Sequence, residues 1–119
     1  MKVYYTFMSY NLNIIQGSTY NTNLNIKNGD GTYFSLTNYA ATGQIRYSYG
    51  SSNVLLALRP TVYSEASGIL SLTISGSETS NMPCGVFPYD IEIYTTGQST
   101  ENILKPILGY CSIQPECTR

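Results

Sequence analysis

The chain has 119 residues, a formal net charge of −1, no histidine and few charged side chains, while Ser, Thr, Asn, Gly and twelve tyrosines dominate its polar surface. That length fits one domain, taken here as 1–119, with its own core. The scattered basic residues Lys2, Lys27, Arg46, Arg59, Lys105 and Arg119 exclude the clustered positive charge that nucleic-acid or membrane-surface binding requires.

The first segment, MKVYYTF, has no long aliphatic stretch and no small-residue cleavage site, so it does not read as a signal peptide and synthesis in a cytoplasm is expected. It reads as an arm or an extra strand. YNLNII (Tyr10 to Ile15) then has the alternation of a strand, and QGS opens a turn. TYNTNLNIK (Thr19 to Lys27) sets Tyr20, Thr22, Leu24 and Ile26 against polar partners, which is the period of two of a half-buried strand. NGDG at Asn28 to Gly31 follows as a hairpin signal, because Asn, Asp and Gly tolerate positive φ.

Leu36 and Tyr39 are placed to pin a corner before a strand from Ala41 to Tyr49, and SSNVLLALRP supplies another strand ended by Pro60. SEASG turns into ILSLTIS (Ile69 to Ser75). In SGSETSNMPCG, Ser75 or Ser77 can cap a single helical turn near 76–82 that stops before Pro83. GVFPYDIEIYTTGQ alternates acids with hydrophobes, and a last strand from about Ile103 to Ile113 ends before Pro115. The expected architecture is all-β, an immunoglobulin-like β-sandwich of about seven or eight antiparallel strands with one short helical turn.

Chemical motifs are sparse. Asp90 and Glu92 stand at i and i+2 on one strand, so their side chains share a face about 7 Å apart, a spacing that could bracket a substrate or ion. The opposite face carries Phe87, Tyr89, Ile91 and Ile93, as a core requires, so the acids read as the solvent face. With no histidine, the Ser–His and Cys–His nucleophiles and the usual zinc sets are excluded. KNGDG lacks the acidic series of a calcium loop, and the glycines form no phosphate-binding pattern. Cys84, Cys111 and Cys117 have no CxxC spacing and read as reduced thiols, a bridge from Cys84 to a C-terminal cysteine being the alternative. The reading is therefore non-enzymatic, with no catalytic residue, cofactor or metal.

Tyrosine is the distinguishing feature. A rigid amphipathic ring gives contact area at low entropy cost, which favours protein interfaces, and Tyr4, Tyr5, Tyr47 and Tyr49 are the candidate contact residues. Stacking on sugars is the competing use. The strands are also poor in charge, so any free sheet edge is weakly guarded against pairing with another chain.

The blocks SLTNYAATGQIRYSY, SGILSLTIS, SETSNMPCGVFPYDIEIY and ILGYCSIQPECTR resemble a family of small virion proteins of tailed phages, including those of cyanobacteria. The matched positions are Leu36, Thr37 and Tyr39; Gln44, Ile45 and Arg46; Pro83, Gly85, Tyr89, Asp90 and Glu92; and Pro115, Glu116, Thr118 and Arg119. Asn38, Met82, Phe87 and Cys117 depart from that pattern. The chain is also distantly similar to the immunoglobulin-like N-terminal domain of phage upper baseplate proteins. The resemblance implies a structural protein of the virion, made in the host cytoplasm and used in multiple symmetric copies. Its partners would be other virion proteins of the tail or baseplate. A capsid decoration (cement) protein and a carbohydrate-binding host-attachment module are the alternatives. It further implies that Tyr89, at the start of the strand after the helical corner, fastens that corner as a tyrosine does in immunoglobulin-like folds.

Overall fold

A computed structural model describes residues 8–48, 50–96 and 103–115. Among them are nine strands: β1 (Met8–Ser9), β2 (Leu12–Ile15), β3 (Tyr20–Asn25), β4 (Tyr39–Arg46), β5 (Val54–Leu58), β6 (Thr61–Ser64), β7 (Ile69–Ile74), β8 (Gly85–Thr95) and β9 (Ile103–Gln114). A single helical segment, α1 (Gly76–Ser80), joins β7 to β8. The larger sheet runs β1–β9–β8–β4–β5, with β2 also on β9, and the smaller runs β3–β7–β6. The two sheets pack as a sandwich, and the all-β expectation holds.

The alternation read along the chain places the core. From the larger sheet Leu12, Ile14, Ile45, Ile91, Ile93 and Ile107 point inward; from the smaller, Leu24, Leu70, Leu72 and Ile74 meet them. The polar residues between these positions stay on the outer faces, so one period-two pattern both forms each strand and buries one side of it. Pro60 ends β5 as expected, since it cannot continue a ladder, and just beyond it the chain changes sheets to become β6. That strand, Thr61–Ser64, is one the sequence pattern does not separate from its neighbours.

One pairing departs from an all-antiparallel expectation. β1 and β2 lie parallel to β9, with Met8 opposite Ile107 and Leu12 opposite Cys111. Parallel neighbours need a long connection, and here nearly the whole domain separates the two strands. The break between β1 and β2 falls at Tyr10 and Asn11. The Tyr10 amide still donates to the Leu108 carbonyl at 3.1 Å, but the Tyr110 amide donates instead to the Asn11 side-chain Oδ1 at 3.0 Å. A side chain thus takes the place of one backbone ladder partner, and the ladder is interrupted there while the register with β9 continues unchanged.

The helical corner forms where expected. Ser75 is the N-cap: its hydroxyl accepts from the Glu78 amide at 3.2 Å, and the Glu78 carboxylate accepts from the Ser75 amide at 3.1 Å. This reciprocal capping box satisfies amides that a five-residue helix would otherwise leave open. Thr79, fully buried, donates through its hydroxyl to the Ser18 carbonyl at 2.7 Å and ties α1 to the β2–β3 turn. The other corner also matches its reading, because Leu36 is buried and the Tyr39 ring lies 5.5 Å from that of Phe34.

Candidate functional site

Asp90 and Glu92 sit half-buried on β8 with the buried Ile91 between them, on the side of the strand away from the core. Their cross-strand neighbours on β4 are Gln44 and Thr42, and Leu108 of β9 lies opposite Asp90. These side chains, with Arg46, Ser48 and Pro88, line an open groove of about 450 Å³ on the outer face of the larger sheet. Arg46 is held in place: its Nε and one terminal nitrogen donate to Gln44 Oε1 at 3.1 and 2.7 Å, and the other donates to the Ser51 carbonyl at 2.7 Å. The run Gln44–Ile45–Arg46 therefore works as a local brace for the β4–β5 connection. The acids occupy the outer strand face that alternation assigns them. Among the described residues no group of three or more His, Cys, Asp or Glu is arranged to hold a metal ion.

Tyr89 is buried and its hydroxyl donates to the Tyr10 carbonyl. Burial, and then the neighbouring Tyr20 and Tyr10, hold its phenol far above the usual value of 10.0. Its hydroxyl therefore fastens the junction between β1 and β2 to β8, and the corner around α1 is held instead by the capping box, Thr79 and a 2.6 Å bond from Gln16 to the Met82 carbonyl. This revises the expected role: Tyr89 is a fastener, but of the N-terminal strand. Gly109, opposite Tyr89 on β9, makes the approach feasible, because a Cβ there would collide with the Tyr10 carbonyl. Tyr10 in turn reaches the smaller sheet through a 3.3 Å contact between its hydroxyl and Thr22 Oγ1.

Of the candidate contact tyrosines, Tyr4, Tyr5 and Tyr49 lie outside the described residues. Tyr47 is 52% exposed and packs edge-on against Phe87, with ring centroids 6.0 Å apart. Other exposed rings stood out less in the sequence: Tyr63 on β6 at 69%, Tyr33, bridged to Lys27 across the 28–31 turn, at 58%, and Tyr110 on β9 at 46%. Tyr89 alone among the described tyrosines lines the groove. Cys84 is exposed and Cys111 buried, both as free thiols, and burial pushes the Cys111 thiol up to about 12.

The sheet edges form a surface that sequence reading raised only in general terms. β1, β2, β3, β5 and β6 are the outer strands, and none contains Asp, Glu, Lys or Arg. β5 and β6 carry register irregularities, at Ile45/Arg46 against Val54 and at Val62/Ser64, and β1–β2 is broken at Tyr10. β3 has none: its six residues pair with β7 in unbroken register.

No family model matches the chain, and no curated protein matches it. Among solved structures it is similar to a family 123 glycoside hydrolase from Clostridium perfringens, described for the details of glycolipid glycan hydrolysis. The TM-score is 0.40 and the identity 12%, over 91% of this chain and 23% of that one. The chain thus spans less than a quarter of that enzyme's length, and a likeness this low carries none of its properties over.

Proposed function

We propose that this chain is a non-enzymatic structural protein of a phage virion, an adaptor of the tail or baseplate that works by repeated protein–protein contact. The observation that carries the contact role is the set of outer strands without a single charged side chain. Monomeric sheet proteins guard such edges with Lys, other charges or proline, because unpaired amides and carbonyls template pairing with another chain. An uncharged edge suits a protein whose working state is an assembly. Exposed Tyr63, Tyr33, Tyr47 and Tyr110 add aromatic contact area around the same sandwich.

The virion setting, and the tail or baseplate within it, is supported by the resemblance carried by Leu36 to Arg46, Pro83 to Glu92 and Pro115 to Arg119. Fractionating purified particles of the encoding phage, with an antibody against this chain, tests it. The protein is expected in tail or baseplate fractions. Recovery with DNA-filled heads instead makes it a decoration protein, and absence from particles removes the virion reading.

A further inference from the structure

Like the other outer strands β3 has no charge and no proline, and unlike them it has neither a break nor a register irregularity along all six residues. Among the described residues, no strand pairs with its second edge. Its outward positions are Asn21 and Asn23, both exposed, and Asn25, half-buried with its Oδ1 turned away from solvent; they stand opposite Thr73, Ser71 and Ile69 of β7, while Thr22 and Leu24 face inward. The Asn21 carbonyl oxygen accepts from the Thr73 hydroxyl at 2.6 Å, which orients that amide along the sheet.

We propose that the free edge of β3 pairs antiparallel with β3 of a second copy of this chain, about a two-fold axis through Asn23. The strand itself points to a like partner. In an antiparallel ladder, side chains directly opposite share a face. An axis through Asn23 sets Asn23 against Asn23, Asn21 against Asn25 and Thr22 against Leu24, so outward residues meet outward ones and inward meet inward. The central pair is then two exposed carboxamides, and a carboxamide carries both donors and an acceptor, which makes it complementary to itself. One step further out, Ile26 meets Tyr20 and Lys27 meets Thr19, so no like charges come together. The two three-stranded sheets would become one of six strands with an isologous centre, the arrangement closed two-fold dimers use.

This inference rests on the reading of the chain as a contact module, but it concerns the free protein. Its failure would therefore leave the location in a particle standing.

The test is sedimentation velocity over a wide concentration range on the full chain and on Asn23→Lys, with thermal unfolding of both. Asn23 is exposed, so the substitution leaves the fold intact while placing two ammonium groups on the axis. A wild-type dimer weakened about tenfold or more by Asn23→Lys is expected, with equal unfolding temperatures for the two chains at concentrations where both are monomeric. As a second measurement, Asn23→Cys is oxidised in a chain carrying Cys84→Ser, Cys111→Ser and Cys117→Ser, and a crosslinked dimer through position 23 is expected. A wild-type chain monomeric throughout, a dimer that Asn23→Lys leaves unchanged, or an Asn23→Cys chain that stays uncrosslinked overturns the proposal.

Discussion

The Tyr89 hydroxyl donates to the carbonyl of Tyr10, 79 residues earlier in the chain, and so joins the centre of the larger sheet to the junction between its first two strands. Because the ring is buried and the acceptor sits where the backbone ladder is interrupted, no strand partner can replace this bond. Tyr89→Phe keeps the ring and removes the donor. It is expected to destabilise the fold by about 1–2 kcal/mol, because the carbonyl is left without its partner, as measured by urea unfolding.

The same contact sets an alkaline limit. The folded phenol titrates well above 10.0, so the unfolded chain ionises first as pH rises. The stability that Tyr89 contributes is complete below about pH 10 and declines above it. Unfolding midpoints between pH 9 and 11 should therefore fall less steeply in Tyr89→Phe than in the wild type.

Gly109 is the counterpart on β9. A methyl group there meets the Tyr10 carbonyl, so Gly109→Ala forces either the β1–β2 junction or the Tyr89 bond to give way. A loss of about 1–3 kcal/mol is expected, and with Tyr89→Phe the two losses should be less than additive, which a double-mutant cycle would read out.

Around α1, the Ser75 amide and hydroxyl, then Arg59, hold the Glu78 carboxyl below its usual 4.5. A depressed acid stabilises the fold above its unfolded value and loses that contribution as pH falls through the folded one. Thermal scans from pH 6 to 3 should show a steeper loss for the wild type below about pH 4.5 than for Glu78→Gln. Ser75→Ala removes the cap itself and is expected to cost about 1 kcal/mol at neutral pH.

If the exposed rings are contact surface, they contribute little to the isolated fold. Tyr63→Ser, at a ring 69% exposed, should change stability by no more than about 0.5 kcal/mol while lowering incorporation into particles, measured by quantitative immunoblotting.

Much of the fold was legible because its signals are local. Alternation marked Leu24, Ile91 and Ile93 for the core, and Ser75 stood as one of two candidate caps of the helical turn, while its reciprocal partner Glu78 showed only in the folded chain. β6 was not legible, since its Thr-Val-Tyr-Ser run lies between Pro60 and a turn and is too short for a period to show. Nor was the parallel pairing of β2 with β9, because the choice of partner depends on contacts about a hundred residues apart, such as Asn11 with Tyr110. The role of Tyr89 was half legible: aromatic and inward-facing from its position, but with a partner that only the folded chain brings near. The unbroken edge of β3 emerged only once the irregularities of β5 and β6 were in view.

Image reconstruction of intact particles of the encoding phage tests the central claim most directly. The account predicts density for this sandwich in the tail or baseplate, present in symmetric copies. Density confined to the capsid lattice, or particles without the protein, would contradict it.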